Sequence, residues 1–231
     1  MRQIFIQDHP QPGQVTLVTG DDHHHLTRSL RAHIGETWLL VDDTGGRFEG
    51  VIESITKSEA RLKVVRDLGP EPELAPLTVA ICLPKSDAFD ACLEAATQLR
   101  VTQVAPLQSA RSQDISANRR SRWQRIIRMS CCQCLRSKPM QILELGSLEA
   151  FLTAPRPGRK FLAWQGGEAL KGVLEANEPL TFLIGPEGGF EEKEIAFAKA
   201  ASWEPLALGP QILRVPVALS AGLGWLHAMR R

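Results

Sequence analysis

The sequence predicts an α/β chain: a C-terminal domain built on a parallel sheet, preceded by a small all-β domain. Three observations carry this. Residues 2–68 are dominated by short β-branched and aliphatic runs. Residues 69–76, GPEPELAP, hold three prolines and a glycine, which neither a helix nor a strand continues. After that break, strand-like runs alternate with helical ones, the pattern of a parallel sheet flanked by helices.

In the first part, IFI at 4–6, VTLV at 15–18, TWLLV at 37–41, FEGVIESI at 48–55 and ARLKVV at 60–65 read as strands. Asp42-Asp43-Thr44-Gly45-Gly46 supplies residues that tolerate positive φ, as a hairpin turn requires. A helix over 22–32, with Leu26 and Leu30 on one face, interrupts the strands. Domain boundaries follow at 1–70 and 77–231, with 69–76 as linker. In the second part the strands are LTVAICL, VTQVAPL, QILEL, KFLAW, LTFLI and PLALG. The helices are 86–99, 117–136, a short one near 148, 168–176, 191–201 and 216–229.

Composition narrows the functional classes. With 43% hydrophobic residues, 231 residues bury a sizeable core. The opening MRQIFIQDHP has no signal-peptide pattern and no apolar run approaches the ~20 residues of a membrane span, so a cytoplasmic protein without a membrane partner is expected. Five cysteines without paired C-x-x-C spacing suggest neither disulfides nor zinc. Adjacent His23-His24-His25 do not share a helix face, so no metal is expected there either. The net charge is only +1, yet between Arg111 and Lys138 eight basic residues stand against the single acid Asp114. Arg119, Arg122, Arg125, Arg128 and Arg136 would form a cationic strip opposite a buried stripe of Trp123, Ile126 and Ile127, suited to an RNA backbone. A solvated face paired with acids elsewhere is the alternative.

Leu183 to Phe190, LIGPEGGF, carries the most chemistry. An apolar strand runs into a Gly-rich turn before a helix, at the kind of strand end where open α/β sheets bind ligands. No Gly-Lys-Ser/Thr follows and the G-x-G-x-x-G spacing is absent. Glu187, Glu191, Glu192 and Glu194 would repel a phosphate. A cationic, phosphate-free ligand fits better, and S-adenosylmethionine meets that description where ATP and NAD do not. An ordinary connecting turn is the alternative. A second loop, Leu208-Gly209-Pro210-Gln211-Ile212-Leu213-Arg214, follows the next strand, and adjacent strands would make the two loops the sides of one pocket.

These motifs, together with LPKSDAFDACLEAATQLRVTQVAPLQSARS, Arg122-Trp123, Gln133 and Arg136, resemble the RsmE family of SPOUT-class methyltransferases. Arg2, Phe5, His25-Leu26, Leu30-Arg31 and Gly35-Glu36 resemble that family's PUA-like domain. The resemblance implies a trefoil-knotted C-terminal domain, a homodimer, and methylation of N3 of a uridine in 16S ribosomal RNA of the small subunit. Carried over, the S-adenosylmethionine site comprises Trp164, Gln165, Ile184, Gly185, Glu187, Gly188, Gly189, Leu208, Gly209, Ile212, Leu213 and Val217. Arg136 and Arg214 are the candidates for stabilising charge on the base. Arg2, His25, Arg28, Arg31, Arg111, Arg119, Arg122 and Arg125 are the candidates for RNA contact. The chain departs from the family at Val215-Pro216-Val217, where a Glu-Thr pair is usual, and at Arg100, where a glycine is usual. The first departure motivates a rival reading, a silent RNA-binding protein of ribosome assembly; a methyltransferase with another RNA target is the second.

Overall fold

The computed structural model describes residues 2–73, 75–84, 86–112, 119–169 and 173–231. Lys85 of the LPKSDAF motif and Asp114 of the basic segment lie outside them. Two compact units emerge, one of Met1–Glu73 with Met129–Pro139, the other of Leu74–Arg128 with Met140–Arg231.

The first unit is a curled five-stranded sheet of β1 (Arg2–Phe5), β2 (Val15–Thr19), β3 (Thr37–Val41), β4 (Arg47–Ile55) and β5 (Glu59–Asp67). The order is β1-β3-β4-β5-β2, with β1 parallel to β3 and the other pairs antiparallel. Alternation buries Phe48 and Ile52 of β4 against Trp38, Leu40, Leu62 and Leu26. The expected hairpin turn joins β3 to β4. Asp42 Oδ1 accepts hydrogen bonds from Thr44 N (2.9 Å), Thr44 Oγ1 (2.8 Å) and Gly46 N (2.7 Å), and Gly45 takes φ +87. His9 Nδ1 bonds the other oxygen of this buried carboxylate. The expected helix over 22–32 is shorter, α1 (Gly20–His24) followed by a wider π-type turn at His25–Ser29.

The second unit is a wholly parallel sheet in the order β12-β10-β11-β6-β7-β8, with β9 also pairing with β7. Its elements are β6 (Leu77–Cys82), α2 (Ser86–Gln98), β7 (Gln103–Gln108), the part of α3 (Arg120–Cys134) up to Arg128, β8 (Gln141–Ile142), β9 (Gly146–Ser147) and α4 (Leu148–Thr153). They continue with β10 (Arg159–Glu168), β11 (Leu180–Ile184), α5 (Glu192–Ala200), β12 (Glu204–Leu206) and α6 (Val215–Met229). All residues of β6 and β11 are buried, as central strands covered on both faces must be. One face packs Leu183, Leu162 and Leu107 under α4 and α5. On α6, Gly222 is the residue that lets the helix approach the sheet, because a Cβ there would stand 2.3 Å from Cζ of Phe182. Ala221 and Gly224 of the same helix are exposed.

Among the described residues of the helix expected over 168–176, none is helical. Leu170, Lys171 and Gly172 lie outside the described residues; Glu168 ends β10, and Leu174 bridges to Arg230 instead. Helices α2, α3 and α5 are followed by Arg100 (φ +60), Leu135 (φ +60) and Ser202 (φ +62), where glycine is the usual choice. In each case the next amide reaches back to the last turn: Val101 N to Ala96 O, Arg136 N to Cys131 O and Trp203 N to Ala198 O, all at 3.0 Å. Among the described residues, no helix is long and apolar enough to cross a membrane.

Candidate functional site

The carboxyl end of β11 opens into the glycine loop. Gly189 N donates to Pro186 O at 2.9 Å with Gly189 at φ +65, closing a tight turn over 186–189 that a β-branched residue would resist. Gly185 has no room for a side chain, since its Cβ would lie 2.9 Å from the Phe190 ring. Glu191 caps α5 and Glu194 returns the bond, its Oε2 accepting from Glu191 N at 2.8 Å. Two of the acids expected to repel phosphate therefore also shape the helix start. Lys193 and, at 3.9 Å, Arg111 hold the Glu191 carboxyl below the usual range, the Lys193 hydrogen bond being the larger cause. Glu187 stays exposed in the loop.

A neighbouring turn braces this loop. Ser109–Ser112 closes on itself, Ser112 N donating to Ser109 O (3.2 Å) and Ser109 N to Ser112 Oγ (3.0 Å). From it Arg111 Nη1 donates to Gly188 O at 2.7 Å, and Ala110 N donates to Glu194 Oε1 at 3.1 Å. Sequence reasoning placed Arg111 on RNA and missed this pairing, because the contact joins residues 77 apart in the chain.

Sheet order sets the third side. The strands before the two loops are not adjacent as expected: β10 lies between β12 and β11, and because all three are parallel their carboxyl ends share one edge of the unit. β10 runs past the expected KFLAW to Glu168, with a shift in register between Ala163 and Glu168 before Glu168 meets Leu206. Gly167 permits it: a Cβ there would stand 2.6 Å from the main chain of Pro205 and Leu206. Trp164 lies over Gly166 and is partly buried against the core, with the Lys199 ammonium 4.9 Å from its ring, whereas Gln165 is exposed. The loop after β12 is open. Among the described residues, no main-chain or side-chain hydrogen bond involves Leu208 to Leu213. Gly209 is at φ +136 with nothing near its Cβ position, and Ile212 is 83% exposed. Arg214 caps α6 in an extended conformation, Pro216 occupies the first turn where its missing N–H is harmless, and Val217 is half-exposed.

These residues fit S-adenosylmethionine. Unused amides and carbonyls at 208–213 match the donors and acceptors of an adenine, and Glu187 offers the negative charge a sulfonium prefers. Two cavities, of about 360 and 450 Å³, lie elsewhere and share Leu152 and Phe197 of α4 and α5. Neither is lined by a residue of 184–189 or 208–214.

The other expected residues are scattered. Arg136 does not face outward on α3: the helix ends at Cys134, and Arg136 follows the left-handed Leu135 with 5% exposure. Its carbonyl accepts from Gln3 Nε2 at 2.8 Å within the first unit, whereas Arg214 belongs to the second. The cationic strip is also less free than its composition suggested. Arg122 donates to Asp90 Oδ2 at 2.6 Å and Arg120 to Glu144 Oε1 at 2.7 Å, acids the local sequence does not contain. Arg125 is exposed and Arg119 half-buried. In the first unit Arg2 pairs with Glu36 at 3.3 Å over the Trp38 ring, His25 is half-buried, and Arg28 and Arg31 are exposed.

Comparison with known proteins accords with this geometry. Residues 70–227 match the model of an RNA methyltransferase domain, and residues 18–65 that of an RNA methyltransferase PUA domain. The ribosomal RNA small subunit methyltransferase E of Synechocystis is 29% identical over 224 residues, covering 93% of this chain and 73% of that protein. The Bacillus subtilis protein of the same name is 25% identical over 218 residues, 87% and 85% of the two chains. The Neisseria gonorrhoeae enzyme of that name, solved bound to S-adenosyl methionine, superposes with a TM-score of 0.89 at 24% identity over 100% of this chain and 98% of its own. At that identity the superposition establishes the fold, a SPOUT-type α/β unit preceded by a PUA-like one. The RsmE resemblance drawn from GPEGGF and LGPQILR holds. Since the matched region spans most of its length, the chain belongs to the RNA methyltransferase family.

Proposed function

We propose that the protein transfers the methyl group of S-adenosylmethionine to N3 of a uridine in 16S ribosomal RNA of the small subunit, acting as a cytoplasmic homodimer. The carrying observation is the open main chain of Leu208–Leu213 after β12 together with the tight GPEGG turn after β11, at the carboxyl ends of the two parallel strands that flank β10. The relatives named as small-subunit ribosomal RNA methyltransferases support the substrate class.

When bound, the cofactor supplies a methyl group on a positive sulfur. Leu208, Gly209, Ile212 and Leu213 hold its base through main-chain groups, with Ile184, Gly185, Gly188 and Gly189 forming the opposite wall. Glu187 adds a carboxylate, and Trp164, Gln165 and Val217 flank the loops. The acceptor nitrogen must lose its proton and approach in line, so orientation is the main contribution of the protein. Arg214, exposed at the start of α6, is placed to stabilise negative charge on the base. Arg136 is assigned a different part: buried, it ties 129–139 to β1. Arg2, His25, Arg28, Arg31, Arg119 and Arg125 contact the RNA, Arg122 sharing its charge with Asp90. The exposed Ala221 and Gly224 give a partner α6 room for close approach, and a monomer mass in light scattering at micromolar concentration overturns the dimer.

The activity is tested by incubating the protein with methyl-labelled S-adenosylmethionine and small subunits from cells lacking the gene, then identifying the labelled nucleoside by mass spectrometry. N3-methyluridine is expected. Label on another nucleoside supports a different RNA target, and no label the silent assembly protein; either overturns the proposal.

A further inference from the structure

The turn at Ser109–Ser112 follows β7, not one of the three strands whose ends form the cofactor loops, yet its polar contacts converge on the glycine loop. We infer that Arg111 and Glu194 are positioning residues that fix the GPEGGF loop from the β7 side; the link to methyl transfer rests on the cofactor site proposed above. Three contacts carry the inference. Arg111 Nη1 donates to the carbonyl of Gly188 at 2.7 Å, a charge-assisted bond onto a residue of the turn itself. The Arg111 stem lies against the same glycine, its Cδ 3.2 Å from where a Gly188 Cβ would stand, so Gly188 serves the arginine as well as the turn. Glu194 then locks the far end, one carboxylate oxygen on Glu191 N at the start of α5 and the other on Ala110 N beside the arginine. The loop is thus held at Gly188 and at Glu191 from one rigid turn, which the two serine hydroxyls, 2.8 Å apart, keep closed.

The cost of this arrangement is that the Arg111 guanidinium, though exposed at the surface, is engaged by the protein's own Gly188 carbonyl. An arginine serving RNA would leave a salt-dependent signature; one holding Gly188 leaves a local, salt-insensitive one.

The test compares Arg111→Met, which keeps the stem and removes the donor, with Arg111→Lys, which keeps a donor. Two readouts are taken on the full chain: amide hydrogen exchange of residues 185–190 without any ligand, and the Kd of S-adenosylmethionine by calorimetry. Arg111→Met should speed exchange at Gly188 and Gly189 and weaken cofactor binding, each about tenfold, as loss of one charge-assisted hydrogen bond implies. Arg111→Lys should recover most of both. Glu194→Gln, which keeps one acceptor oxygen and its shape, should show a smaller effect of the same kind. Unchanged exchange in Arg111→Met overturns the inference. If the wild-type protein itself binds no S-adenosylmethionine, the cofactor reading fails, and the exchange readout alone decides the positioning role. If Arg111→Met leaves exchange and cofactor affinity unchanged but weakens RNA binding in a salt-dependent way, the residue serves RNA and the inference is wrong.

Discussion

Gly222→Ala on α6 pits two effects of known size against each other. Alanine in a helix interior is favoured over glycine by about 1 kcal/mol. The added methyl, however, would stand 2.3 Å from Cζ and 2.4 Å from Cε1 of Phe182, a ring that is fully buried on β11 between β10 and β6. Contacts that close require the ring or the helix to move, and overpacking of this kind costs about 1–3 kcal/mol, here toward the upper end. The net expectation is destabilisation by about 1–2 kcal/mol, or a fall in Tm of roughly 3–6 °C for a chain of this length. Phe182→Leu removes both clashing atoms and on its own costs about 1–2 kcal/mol for the space it leaves. Combined, the two substitutions should be less damaging than their sum by at least about 1 kcal/mol, because each cures the defect of the other. Thermal unfolding followed by circular dichroism measures all four proteins. Strict additivity, or a Gly222→Ala protein more stable than wild type, would refute the proposed contact between α6 and β11.

Other consequences are open to simple assays. Arg100→Gly relieves a side chain held at φ +60 after α2 and should raise Tm by about 2 °C; a lower Tm would show that the arginine side chain does more there than strain the backbone. Asp42→Asn should cost about 1–3 kcal/mol at neutral pH by weakening the acceptor for Thr44, Gly46 and His9. Burial works to raise the Asp42 pKa, but the hydrogen bonds from His9, Thr44 and Gly46 outweigh it and hold the carboxyl below its ordinary value. The stabilisation is therefore complete above the ordinary carboxylate range and is lost as pH falls through the depressed value, so the two proteins should converge in acid. An equal gap at every pH would contradict this. Burial pushes the thiols of Cys82, Cys92 and Cys131 up to about 12, so a thiol reagent at pH 8 should modify at most two of the five cysteines rapidly in the native protein, Cys132 and Cys134.

Elements with a strong local signal were legible in the sequence. The Asp42–Gly46 turn, the buried run Leu180–Ile184 and the Gly-rich loop after it follow from residue types whose backbone preferences leave few alternatives. What escaped was set by distance along the chain. The strand expected at KFLAW stops short of Gly166-Gly167, yet these residues let β10 bulge and return to β12, because only a residue without Cβ can pass as close to Pro205 as Gly167 does. The basic segment read as an exposed strip because Asp90 and Glu144 stand outside it. Arg136 read as part of that strip because a left-handed Leu135 has no sequence signature of the kind glycine provides. At the site, the residues of each loop were legible one loop at a time. Their assembly depends on the order β12-β10-β11, and the brace from Arg111 and Glu194 on a turn after β7, neither of which periodicity encodes.

Where S-adenosylmethionine binds decides between the strand-end loops and the cavities at α4 and α5. Titrating the full chain with S-adenosylmethionine, with amide exchange read at each step, should give one molecule per chain and new protection at residues 184–189 and 208–213, whose main chain is otherwise unengaged in the second loop. No binding, or protection confined to the cavities between α4 and α5, would contradict it.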